Sequence, residues 1–130
     1  METKEDKKQY FQGLRDGWKK AKDLVNDPEY KAKFQVLMSQ APDFKVSATG
    51  FAFCLNSMKR NSFEGLPYLD CKTFAGWKQS GFMVKKGEKS KIDGLTWIAS
   101  TKENEKGEKE TSGMYPKGYR LFHKTQVEAL

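Results

Sequence analysis

Apolar residues in the first third of the chain recur every three or four positions, the spacing that lines one face of an α-helix. Tyr10, Phe11, Leu14, Trp18, Ala21, Leu24 and Val25 set this period and predict a helix over about residues 5–25. Residues 1–7 are charged and patternless and are expected to fray. Asn26-Asp27-Pro28 stops that helix and starts the next, because Asp27 can cap free N–H groups and Pro28 suits the first helical position. Tyr30, Phe34, Leu37 and Met38 form the second stripe, which must end by Ala41, before Pro42. Ser47 caps a third segment whose Phe51, Cys54, Leu55 and Met58 fall at helical spacing; Phe51–Leu55 also fits a short strand. Asn61 through Pro67 reads as a connection, and Thr73 through Ser80 as a short helix ended by Gly81.

Beyond Gly81 the period changes from helical to β. Phe82-Met83-Val84 precedes a turn at Lys86-Gly87-Glu88-Lys89, where Gly87 supplies a positive φ, and Ile92 and Leu95–Ala99 follow as strand. Tyr119–Lys124 alternates well enough to return antiparallel to Leu95–Ala99, and the last six residues cap the sheet or continue the strand. Residues 101–118 hold four Lys, four Glu and three Gly with little that is apolar, and predict a mobile hairpin tip. The expected fold is therefore α+β: N-terminal helices packed on a small antiparallel sheet with a long flexible tip. The chain has 130 residues, which suits one domain spanning 1–130.

Composition sharpens this picture in one place. The chain carries 24 Lys and Arg against 17 Asp and Glu, a formal +7. Six lysines (Lys72, Lys78, Lys85, Lys86, Lys89, Lys91) oppose Glu88 alone between residues 72 and 91, so +5 of the excess sits in one short segment. A polyanion site needs such a cluster, whereas surfaces that only confer solubility mix the signs. Four aromatic residues, Phe74, Trp77, Phe82 and Trp97, thread through and flank the cluster. Stacking rings beside phosphate-neutralising ammonium groups suit single-stranded nucleic acid, whose bases are unpaired. Phe74 and Trp97 are read as core and Phe82 as part of the site. Trp77 is read both ways, as a stacking platform or as a core plug. Lys78, Lys85, Lys86, Lys89 and Lys91 are candidate phosphate contacts, joined by Arg120, whose planar donors match phosphate.

Other chemistries lack the residues they need. His123 is the only histidine and reads as part of a surface strand, so neither a zinc site nor a nucleophilic triad is expected. Cys54 and Cys71 lack CxxC spacing and are expected to be buried or half-buried free thiols. No Walker-type or G-x-G-x-x-G loop is present, so no cofactor is expected. No apolar run long enough to span a membrane and no apolar leader occur, which implies a cytoplasmic protein with no membrane partner.

The block Thr73-Phe74-Ala75-Gly76-Trp77-Lys78-Gln79-Ser80-Gly81-Phe82-Met83-Val84-Lys85-Lys86-Gly87-Glu88-Lys89 resembles the N-terminal domain of ArdC-type antirestriction proteins. That family has a tryptophan, then a glycine, then a Val-Lys-Lys-Gly-Glu-Lys turn, matched here by Trp77, Gly81 and Val84 through Lys89. Ser47, opening its helix, and Tyr119–Val127, including Gln126, extend the likeness over about residues 30–127. Gly50 stands where the family usually has asparagine, and Ser90 where it usually has glycine. The resemblance implies an α+β domain that binds single-stranded DNA with little sequence preference, encoded on plasmids, phages or other mobile elements. The HExxH metalloprotease domain of longer relatives has no counterpart in this sequence, and no enzymatic activity is expected. Two further classes stay open: a protein-interaction module that inhibits a host defence or nucleic-acid-processing protein, and an enzyme acting on nucleic acid, which would need carboxylates such as Glu64, Asp70 and Asp93 around a divalent ion.

Overall fold

The computed structural model describes residues 4–130, apart from the side chains of residues 111 and 112. Helix α1 spans Lys4–Leu24, α2 Pro28–Gln40 and α3 Ala48–Arg60. Lys4–Lys7, expected to fray, are the first turns of α1; Met1–Thr3 lie outside the described residues. The caps act as their residue types dictate. Asp27 Oδ1 accepts from Glu29 N at 2.9 Å, with Pro28 at the first helical position, and Ser47 Oγ accepts from Gly50 N at 3.0 Å. Each such cap stabilises its helix by about 1 kcal/mol.

Helix α3 is buried on most of its circumference, from Gly50 through Leu55 and at Ser57 and Met58. A helix apolar on all sides must lie inside a fold, and α3 is flanked by α1, α2 and the sheet. Phe34 of α2 meets Phe51 edge-on at 5.2 Å, Trp18 of α1 meets Trp97 at 5.8 Å, and Leu37 is fully buried. Burying one such leucine contributes about 1.5–3 kcal/mol. Ser57 is the polar exception on α3, and its Oγ accepts from Asp93 N at 2.8 Å, joining helix to sheet. Among the described residues no helix is long and apolar enough to cross a membrane.

Strands β1 (Cys71–Lys72), β3 (Ile92–Glu103) and β4 (Lys109–His123) form an antiparallel sheet in the order β1-β4-β3. With the helices against it, the sheet makes this an α+β fold, as the periodicities predict. The details correct the sequence reading at three points. First, residues 101–118 belong mostly to the β3–β4 ribbon: Glu103 pairs with Lys109, so only residues 104–108 form the turn. Pro116 sits in β4 opposite Trp97, where β4 has no second neighbour and a missing N–H costs nothing. Second, Leu95–Ala99 pair with Gly118–Met114, while Phe122 and His123 pair with β1. Third, the C-terminal residues neither cap that sheet nor prolong β4. They pass through a 3₁₀ turn at Lys124–Gln126 into β5 (Val127–Ala129), which pairs antiparallel with β2 (Phe82–Val84) in a separate two-stranded sheet. The lysine-rich stretch after β2 therefore bridges two sheets.

Candidate nucleic-acid interface

Helix α4 (Phe74–Gln79) opens the basic segment. Thr73 caps it, with Oγ1 accepting from Gly76 N at 3.1 Å, and Gly81 ends the turn beyond it at φ +89°. Trp77 points inward: it is 5% exposed and its Nε1–H donates to the Phe122 carbonyl at 2.7 Å. A buried indole with its N–H satisfied is a core plug. Trp77 is thus not a face on which bases can stack, and that expectation is corrected. Phe74, expected in the core, lies outward at 57% exposure against Phe122. Phe82 is 37% exposed and leans edge-on against Trp77 at 5.6 Å, with Met83 exposed beside it in β2. The outward rings of this segment are therefore Phe82, resting on Trp77, and Phe74, resting on Phe122. Trp97, as expected, packs against the core.

The turn after β2 is fixed through its backbone. Lys85 N donates to Gln126 O at 2.9 Å, Glu88 N to Lys85 O at 3.1 Å, and Gly87 takes φ +87°. Gln126, itself buried, donates from Nε2 to Lys89 O at 2.8 Å and to Glu88 Oε2 at 3.2 Å, while its Oε1 accepts from His123 N. Asn61 Nδ2 holds Lys91 O at 2.8 Å. Because main-chain groups do the anchoring, the ammonium groups of Lys78, Lys86, Lys89 and Lys91 are left at the surface. Lys85 is exposed too, with Nζ donating to Thr125 O at 3.3 Å. Lys72 is half-buried, lies over the Trp77 ring at 5.1 Å and donates to Ser80 Oγ. Among the described residues none of these six lysines forms an ion pair.

Arg120 is exposed but its Nη1 is bound to Asp93 Oδ1 at 2.7 Å, so one face of its guanidinium is already committed. His123 departs from its expected place on a surface strand. It is 3% exposed, stacked on Phe63 at 4.7 Å. Its Nε2–H donates to Glu64 O at 2.6 Å, while Nδ1 accepts from Thr125 N at 3.3 Å and lies 2.9 Å from Thr125 Oγ1. These partners fix the tautomer and leave no ring nitrogen for catalysis.

Cys54 and Cys71 are buried free thiols with their sulfurs 3.8 Å apart. The hydrogen bond with Cys71, reinforced by burial, pushes the Cys54 thiol well up. Tyr68 and Tyr119 share a hydrogen bond at 2.8 Å, and burial raises both phenols. The Cys54 thiol and both phenols are thereby held neutral, while the hydrogen bond with Cys54 lowers the Cys71 thiol against the opposing effect of burial. Among the described residues no group of three or more His, Cys, Asp or Glu side chains is placed to hold a metal ion.

No family model matches this chain, and neither a curated protein nor a solved structure matches it. The ArdC-type likeness rests on the residues quoted above alone. Two features of this surface escaped the sequence reading. Phe74 and Trp77 are three apart in a helix of six residues, too short for a period to say which faces inward. Gln126 was visible only as a matching residue, and its part in tying down the basic turn depends on contacts 37 and 38 positions away.

Proposed function

We propose that this protein binds single-stranded nucleic acid, DNA in preference to RNA, with little sequence preference. The observation that carries this reading is the strongly basic surface from Lys78 to Lys91, interrupted only by Glu88, where exposed lysines without ion pairs among the described residues stand beside the outward rings of Phe74 and Phe82. Phosphates receive the ammonium groups and unpaired bases receive the rings; neither contact reads sequence. The turn's main chain is anchored by Gln126 and Asn61, so the lysines are preorganised in position while their tips stay free to follow a backbone of varying shape. The ArdC-type resemblance of Trp77, Gly81 and Val84–Lys89 supports the same reading. With Trp77 interior, the proposed contacts are Phe74, Lys78, Phe82, Lys85, Lys86, Lys89 and Lys91.

Fluorescence anisotropy with several unrelated labelled DNA single strands, a duplex of the same length and an RNA strand tests this at two salt concentrations. The DNA single strands are expected to bind with similar affinity, ahead of duplex and RNA, and to weaken together as salt rises. Failure to bind any single strand at low salt would overturn the proposal. A second reading, docking to a protein, is favoured by the exposed Met114 and Tyr115 on the charge-balanced ribbon. Stoichiometric capture of one protein by a chain that retains no nucleic acid would select it.

A further inference from the structure

On the strand-binding reading above, we infer that the cavity between α1 and the β3–β4 sheet takes one nucleotide unit of the bound strand, its phosphate on Arg60 and Arg120 and its base on Tyr10. The cavity holds about 480 Å³, within the roughly 300–1,000 Å³ of small-ligand sites. Its lining includes Tyr10, Gly13, Arg60, Asp93, Tyr119 and Arg120. Arg60 is exposed at the end of α3 and makes no ion pair among the described residues. Arg120 is oriented by Asp93 through one nitrogen, and a guanidinium has five N–H donors, so others remain for a second oxyanion. Tyr10 is 55% exposed, which leaves an aromatic face at the rim.

The cavity also lies on the route out of the basic turn. Asn61, next in the chain to Arg60, binds the Lys91 carbonyl, and Asp93 follows two residues after Lys91. A strand leaving Lys91 thus meets the two arginines next. Three walls are closed by close packing: a Cβ at Gly17 would meet Phe53, one at Gly94 the Tyr119 ring, and one at Gly118 the Tyr10 hydroxyl. Gly13 differs, since a Cβ there would meet nothing within 4 Å. No neighbour requires glycine at that helical position, and glycine is a poor helix former.

Gly13→Leu fills the cavity while improving helix propensity, and Arg60→Gln removes one cation; both are compared with wild type. Anisotropy with a labelled deoxythymidine 12-mer is expected to show five- to tenfold weaker binding for each variant, with unchanged or raised Tm. The salt slope should stay at the wild-type value in Gly13→Leu and fall by about 0.7 in Arg60→Gln. Wild-type affinity in both variants would overturn the inference. A parallel arm separates the cavity from the strand-binding reading: thymidine monophosphate is titrated while amide NMR shifts at Gly17 and Gly118, both in the cavity wall, are followed. Shifts that persist in a Lys85→Ala/Lys86→Ala variant and vanish in Gly13→Leu support the cavity as a nucleotide site even if no strand binds. Absence of both strand binding and shifts in wild type overturns it.

Discussion

Two lysine-rich stretches of this surface, residues 72–91 and residues 101–118, have similar lengths and opposite electrostatic designs. In the second, Lys102 stands opposite Glu110 and Glu103 opposite Lys109 in the β3–β4 register. Opposite charges facing across a ribbon stabilise the pairing and cancel their fields at a distance. In the first, the backbone is held by Gln126 and Asn61 through main-chain carbonyls, and no carboxylate pairs with the lysines among the described residues. Two of the ribbon's lysines, Lys102 and Lys109, thus face a glutamate across the strands, while the exposed lysines of the basic turn face none. Lysine content alone does not distinguish the two; the position of the carboxylates does.

The largest effect that sharpens this contrast lies beneath the basic segment. Trp77→Ala removes a buried ring and leaves the Phe122 carbonyl without its donor, so a loss of about 3–5 kcal/mol in thermal or denaturant unfolding is expected. A melt close to wild type would mean that Trp77 is not the plug supporting this surface. Phe82→Ala comes next. Its ring is partly exposed, so the melt should change little while affinity for single strands falls by about 1–3 kcal/mol, the worth of one stacked base. Unchanged affinity in that variant would leave the lysines without their aromatic companion. The direct comparison is between two double variants. Lys85→Ala with Lys86→Ala should weaken single-strand binding roughly five- to tenfold and flatten its salt slope by about 1.4, whereas Lys102→Ala with Lys106→Ala should do neither. Equal losses from both pairs would erase the distinction between the regions.

What was legible in the sequence follows the range of the forces involved. Helices α1 to α3, the caps at Asp27 and Ser47 and the positive φ of Gly87 are set by neighbours within four residues, and the period and residue types report them. The concentration of lysine between 72 and 91 is likewise a local fact. Long-range pairing was not legible. The β2–β5 contact joins residues more than 40 positions apart, and nothing in Phe82-Met83-Val84 names its partner. His123 is buried because Phe63 and Glu64 fold over it from a loop some sixty residues earlier. Glycines, Pro116 and dense charge made 101–118 read as a loop; the cross-strand matching of its charges exists only once the register is known. Arg60 drew no attention in the sequence, since the cavity beside it forms from four separate elements.

The smallest expected effect tests the ribbon from its tip. Asn104 Oδ1 accepts from Lys106 N and Glu108 N, both at 2.9 Å, and its Nδ2 donates to Glu110 Oε1 at 3.0 Å, so one side chain organises the whole turn. Asn104→Ala deletes these bonds, but the amides it releases are exposed and water replaces the lost acceptor. The net cost should therefore be about 0.5–1 kcal/mol, below that of a buried pair. Because the tip lies far along a two-stranded extension, the loss should be local. Faster hydrogen exchange at Lys106 and Glu108 is expected, with almost no change in Tm. Single-strand affinity should not move. If it falls alongside the exchange protection, the ordered ribbon is itself part of the binding surface, and the division between a self-satisfied region and a partner-seeking one fails at the place where it predicts no effect.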